Sequence, residues 1–131
     1  MGLTNADHEE SSPDAPLKLI TKLSCSLAGE KRDVSFVPGS QAYQIYAQDR
    51  AIEIFACSYG LNKSFQEQIG GRDLRMSGFD DDGTVRVVEL PGHPFYISTL
   101  FVPQMRSAPG APHPLISAYV REAFEFSKNR S

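Results

Sequence analysis

Phe95-Tyr96-Ile97-Ser98-Thr99-Leu100-Phe101-Val102-Pro103-Gln104 is the stretch on which the reading of the fold turns. From 96 to 102 apolar side chains fall on both alternating faces, the pattern of a strand inside a sheet rather than at its edge. Pro103 has no backbone N–H to give a ladder, so the strand must stop there, and Gln104 is the polar residue at its exit. Two His-Pro pairs flank it, His93-Pro94 and His113-Pro114. Behind the second pair, Leu115, Ile116, Tyr119, Val120, Ala123, Phe124 and Ser127 recur at helical spacing. Residues 114–128 are therefore predicted to form a core-facing amphipathic helix.

Upstream, residues 74–79 and 84–90 alternate on either side of Asp80-Asp81-Asp82-Gly83. Asp-Gly supplies the positive φ of a tight turn, so this is a predicted hairpin with the acidic run at its exposed tip. Asn62 is placed to cap a short helix over 63–69, with Gly70-Gly71 as its stop. Residues 51–59 read as one strand broken by Gly60, and 33–37 as another ended by Pro38-Gly39. Residues 17–21 read as a short extended piece, while 41–46 fit a helical turn and a strand equally well. Ser11-Ser12-Pro13 and Pro16 interrupt the first 16 residues, which are expected to be an irregular polar arm ahead of one domain over 17–131. The chain is mixed α/β and shows no internal repeat.

At 131 residues there is room for one domain with a modest core. A net charge of −3 without a basic stripe argues against a nucleic-acid partner. Cys25 and Cys57 are too few for a disulfide framework and fit no zinc spacing, so a reduced, cytoplasmic compartment is expected. The acidic start Asp7-His8-Glu9-Glu10 is unlike a signal peptide, and no apolar run is long enough to span a bilayer. The Asp80-Asp81-Asp82 run lacks the regular ligand spacing of a metal loop, so neither a metal nor a cofactor is expected. His93 and His113 each precede Pro and read as turn residues. Cys57 reads as a packed thiol in its strand, with a redox role for Cys25 or Cys57 left open.

The order Pro-x-His-Pro, apolar strand, Phe-x-Pro-x, loop, His-Pro-Leu, helix resembles the C-terminal end of the glutaminase domain of CTP synthases. The likeness extends upstream: Glu53, Tyr59 and Asn62 match the family's E-R-H-R-H-R-Y-E-V-N strand, and Asn5-Ala6-Asp7-His8-Glu9-Glu10 its N-A-N-S-T-E stretch. Ser24-Cys25-Ser26-Leu27, Pro38-Gly39-Ser40 and Thr99-Leu100-Phe101-Val102-Pro103-Gln104 are similar to the group called CTP synthase C-terminal region-related proteins. The resemblance implies part of a class I glutamine amidotransferase-like, flavodoxin-like three-layer fold, with a mixed sheet, a hairpin and a terminal helix. It also implies that a glutaminase-like N-terminal half, carrying a Gly-rich elbow, normally precedes the equivalent of Met1.

Amide hydrolysis in that family needs a Cys on a tight elbow, a His to move the proton and a carboxylate to orient the His. The family's strand exits as F-H-P-E; Val102 and Gln104 stand at its His and Glu. Ser58 stands at the Arg that grips the substrate carboxylate, and neither cysteine lies in a G-x-C-x-G setting. No catalytic residue is therefore assigned, while Glu10 and Tyr59 remain as substrate-contact positions for a glutamine-like ligand. Two functions follow as expectations. One is a glutaminase-like module without hydrolytic activity that binds or regulates. The other is the C-terminal part of a glutamine-hydrolysing, CTP synthase-like enzyme whose nucleophile comes from a missing N-terminal part. No phosphate-binding loop supports the ATP-dependent ligation of CTP synthases. A half sheet would leave an apolar face bare, so a homo-oligomer or a complex with an N-terminal partner half is expected.

Overall fold

The computed structural model describes residues 4–70 and 73–129. The elements are β1 (Ala6–His8), β2 (Leu17–Lys22), β3 (Lys31–Phe36), α1 (Gln41–Tyr46), β4 (Arg50–Ile54) and β5 (Tyr59–Leu61). A 3₁₀ turn (Lys63–Phe65) then runs into α2 (Gln66–Gly70), followed by β6 (Arg75–Phe79), β7 (Val85–Glu89) and β8 (Ile97–Thr99). A second 3₁₀ turn (Pro103–Arg106) leads to α3 (Pro114–Lys128). Five strands form an antiparallel sheet in the order β4-β3-β6-β7-β8, and three form a smaller sheet in the order β1-β2-β5.

Local chemistry sets the helices. Ser40 caps α1 by accepting the Tyr43 N–H at 3.0 Å, and the buried Glu89 carboxylate accepts the N–H groups of Gln41 and Ala42 at 3.1 and 3.2 Å. Anion and cap together satisfy donors that a helix start leaves open, which decides for helix a segment whose apolar pattern was ambiguous. Asn62 caps the 3₁₀ turn as the sequence predicts, through Ser64 N–H at 3.1 Å. Gly71 lies outside the described residues. One face of the large sheet presents Val34, Phe36 and Val87 to Ala42 and Tyr46 of α1 and Leu115 of α3, with the Phe36 and Tyr46 rings stacked at 4.1 Å.

Several sequence expectations need correction. The strand expected over 51–59 is two strands in different sheets, because Phe55 turns fully into the core while Ser58 O accepts Leu23 N–H and draws the chain onto β2. Gly60 lies inside β5 instead of breaking it; a Cβ there would come within 2.8 Å of Leu23 Cδ2. The segment over 96–102 is paired as a strand only at Ile97–Thr99 and, among the described residues, forms the sheet edge. Asp80 is buried rather than at the hairpin tip, leaving Asp81 and Asp82 outside. On α3 only Leu115 and Ala118 are buried, and Tyr119, Val120 and Phe124 face outward, since the apolar stripe is wider than the surface that covers it. Within the arm expected to be irregular, residues Ala6–His8 form β1, parallel to β2, held further by Glu9 N–H to Ile20 O at 3.0 Å.

Candidate functional site

The chain leaves β4 and crosses to β5 alongside the segment that leaves β8. Val102 N–H donates to Ile54 O at 3.0 Å, and Cys57 Sγ donates to Tyr59 O at 3.3 Å and Leu100 O at 3.8 Å. Ser58 Oγ lies 2.7 Å from Ser26 Oγ, bringing the β2–β3 loop to the same place. Val102 is half-buried and Gln104 exposed in the 3₁₀ turn that Pro103 opens. Tyr59 starts β5 with its ring 5.1 Å from the His8 ring, and His8 Nδ1 accepts the backbone N–H of the exposed Glu10 at 3.1 Å. The fold thus joins Ser58, Cys57 and Val102 at one end of the strands, and ties Glu10 through His8 to Tyr59. It brings no imidazole into hydrogen-bond contact with the Cys57 thiol among the described residues. Both cysteines are free, Cys25 exposed and Cys57 half-buried. No cluster of three metal-ligating side chains occurs among the described residues.

A second polar assembly sits inside the molecule. Glu53, wholly buried, accepts at one oxygen from Tyr46 OH at 2.7 Å, His113 Nε2 at 3.0 Å and Arg106 Nη1 at 3.0 Å. Its other oxygen has no hydrogen-bond partner. His113 caps α3, its Nδ1 accepting Leu115 N–H at 3.2 Å, so the ring proton must lie on Nε2 and point at Glu53. Burial first, and the bond to Glu53 second, push the Tyr46 phenol far above its usual range, so it stays protonated and donates to Glu53. This assembly fixes where β4, α1 and α3 meet. His93, by contrast, is exposed on the β7–β8 loop, where its Nδ1 accepts Phe95 N–H at 3.2 Å. The sequence held a signal for the Glu53 assembly: Ala51, Glu53 and Phe55 share the inward face at period two, so a carboxylate there demands donors.

A third group pairs Arg86 with Asp80. Both are buried; Asp80 Oδ2 accepts from Arg86 Nε and Nη2 at 2.8 Å, while Asp80 Oδ1 accepts the N–H groups of Asp82 and Thr84 at 3.1 and 2.9 Å. Neither residue's pairing is signalled by spacing, because the carboxylate only turns inward once the hairpin has closed.

No family model matches the chain. Curated relatives include the CTP synthase of Rhodospirillum centenum, 34% identical over an alignment covering 97% of this chain and 27% of the relative. The CTP synthase of Carboxydothermus hydrogenoformans is 31% identical over 97% of this chain and 26% of its own length. The chain therefore spans about a quarter of the curated relatives it matches. Among solved structures, the glutaminase domain of Trypanosoma brucei CTP synthase, with bound acivicin, superposes with a TM-score of 0.83 at 23% identity, covering 93% of this chain and 52% of that one. A GMP synthase component from Thermoplasma acidophilum gives 0.61 at 11% identity, covering 85% of this chain and 51% of that one. By sequence over nearly its whole length this chain is similar to part of CTP synthases, and its fold is that of part of a CTP synthase glutaminase domain.

Proposed function

We propose that this chain is a glutamine amidotransferase-like module that no longer hydrolyses glutamine and acts by binding, as a regulatory domain. The observation that carries the reading is the pair Val102 and Gln104 beyond β8, where the F-H-P-E pattern of the family the chain resembles would call for a His and a Glu. An isopropyl group cannot take a proton, and a neutral amide cannot hold an imidazolium. Ser58, bonded to Ser26, offers no bidentate grip on a substrate carboxylate. The Cys57 thiol engages two backbone carbonyls rather than a base. Glu10 and Tyr59 are the positions from which a glutamine-like small molecule would be contacted. The partner is a second copy or an N-terminal half, and the compartment cytoplasmic; no helix among the described residues is long and apolar enough to cross a membrane. The test is release of ammonia from glutamine by the purified chain against a no-protein control. Background release is expected, and turnover above it ends this reading.

One observation favours a second reading. The solved glutaminase chain is matched over only 52% of its length, and β8 has a neighbour on one side only among the described residues. An N-terminal half pairing along β8 would complete the sheet and bring its own nucleophile. Co-expression with such a half, followed by the same assay, separates the two: ammonia released only when both pieces are present favours the enzyme.

A further inference from the structure

The loop that joins β7 to β8 faces the outward side of α3 across a hollow of about 320 Å³, at the small end of ligand sites. Phe95 forms the loop's wall of it, and Tyr119, Ala123 and Phe126 the wall of the helix, with Glu122 the one carboxylate among them. The spacing of Tyr119, Ala123 and Phe126 keeps them on one helical face, and the small Ala123 between two rings leaves the space open. This hollow is separate from the Ser58–Val102 end and from the Glu53 assembly.

The loop wall is held in place by the fold itself. His93 Nδ1 accepts the Phe95 N–H at 3.2 Å, and Gln41 Nε2 of α1 donates to Pro94 O at 3.1 Å. The Phe95 and Tyr119 rings stand at 63° to one another with centroids 5.6 Å apart. The face of an aromatic ring is the negative end of its quadrupole and attracts a cation. Elsewhere on the helix that attraction is met within the chain, since Lys128 Nζ lies 4.2 Å from the centroid of Phe124. Among the described residues no cation lies over Phe95 or Tyr119, and the half-buried Glu122 carboxylate has no ion pair. Lys128 is taken by Glu125 at 3.2 Å. Arg121, the chain neighbour of Glu122, lies round the helix and lines the groove beside α1.

We propose that this hollow binds a small free molecule carrying a quaternary ammonium group, its methyls against the Phe95 and Tyr119 rings and its charge opposite Glu122. A compact primary ammonium is strongly hydrated and needs several acceptors, where the hollow offers one carboxylate. A methylated nitrogen brings apolar surface and positive charge with no N–H to satisfy, which matches aromatic walls beside one unpaired anion. A neutral apolar guest would strip water from Glu122 without supplying a counter-charge. A phosphate next to the ammonium, as in a lipid headgroup, would face that carboxylate and a chain of net charge −3.

Nuclear magnetic resonance of the full chain, labelled in its Phe and Tyr rings, follows titration with choline, ethanolamine and dimethylbutanol, the uncharged isostere of choline. Choline is expected to shift Phe95 and Tyr119 saturably and to bind about tenfold more tightly than either of the others. Glu122→Gln should weaken choline about fivefold and leave dimethylbutanol unchanged. Ala123→Leu, at an exposed position where Leu suits a helix, fills the hollow and should abolish binding of all three. The proposal is overturned by the absence of a saturable shift with choline, by shifts centred away from Phe95 and Tyr119, or by dimethylbutanol or ethanolamine equalling choline. Unaltered choline binding in Glu122→Gln would overturn it too. So would tighter binding to phosphatidylcholine vesicles or to a trimethyl-lysine peptide than to choline, which would move the site to a lipid or a protein.

Discussion

The carboxylate of Glu53 and the Nε2–H of His113 meet at 3.0 Å across 60 residues of chain, and both side chains are closed off from water. The imidazole does two jobs at once, since its other nitrogen caps α3 through Leu115 N–H. Strand β4 is thereby fastened to the start of the terminal helix by one ring, and Tyr46 adds α1 to the same carboxylate oxygen. The two jobs can be separated. Glu53→Ala strands several buried donors and should lower unfolding stability by about 3 kcal/mol. His113→Ala loses cap and bridge together and should cost about 2 kcal/mol, while His113→Asn, a good N-cap too short for Glu53, should recover about half of that. Urea unfolding of the three variants at neutral pH measures the series; equal losses for the Ala and Asn variants would remove the cap from the account.

Gly78 is required by contact rather than by backbone angle. A Cβ there would sit 2.7 Å from Val87 Cγ2 and 3.2 Å from Val34 Cγ1, inside the main core, where β6 is bulged against β7. Gly78→Ala should therefore destabilise by about 1–3 kcal/mol through overpacking. Adding Val87→Ala to it should cost less than Val87→Ala costs alone, because the new methyl fills part of the space left; a coupling of about 1 kcal/mol is expected from the double-mutant cycle.

What the chain disclosed in advance was what short-range chemistry controls. The hairpin around Asp82-Gly83, the Asn62 cap and the helix after Pro114 each depend on a few adjacent residues, and each is where its local pattern puts it. The failures share a different cause, which is that sheet membership is decided by distant neighbours. Apolar residues on both faces of 96–102 gave no means of knowing that, among the described residues, only β7 would lie beside it. Continuity from Ala51 to Tyr59 hid the switch of sheets because Phe55 and Ser58 are claimed by separate partners, the core and Leu23. At the candidate site, Val102, Gln104 and Ser58 could be picked out by comparison with the family pattern. The Arg86–Asp80 pair could not, since it exists only once Asp80 has folded back.

The join between the N-terminal arm and the small sheet should depend on acid. Glu9 accepts the Lys22 backbone N–H at 2.5 Å and pairs with Lys18 at 3.4 Å. The Lys22 bond, chiefly, and the Lys18 charge hold its carboxyl below the ordinary carboxylate range. A depressed folded value means the stabilisation is complete above the ordinary carboxylate pKa and is lost as pH falls through the depressed one. Hydrogen exchange at Lys22 and Ile20 should therefore speed up, relative to strands of the large sheet, as pH falls below the ordinary carboxylate range. Glu9→Gln should already exchange fast at neutral pH and show no such acid step. An unchanged acid step in that variant would assign it to another carboxyl.

Placing His and Glu at Val102 and Gln104, as in the F-H-P-E pattern the chain resembles, tests whether those two side chains alone would give it glutamine hydrolysis. Val102 is half-buried and Gln104 exposed, and the backbone bond from Val102 to Ile54 O survives any side chain, so Val102→His/Gln104→Glu should fold. Its ammonia release from glutamine should nevertheless stay at background. A base and its orienting carboxylate accelerate attack only by a nucleophile within reach, and Cys57 keeps its S–H on the carbonyls of Tyr59 and Leu100. Adding Ser58→Arg removes only the bond to Ser26 and supplies a guanidinium for the substrate carboxylate. It should tighten glutamine binding about tenfold, by calorimetry, without producing turnover. Binding and chemistry would then be separable in this chain: turnover in the triple variant would mean that a nucleophile is present after all, and would transfer the role to Cys57.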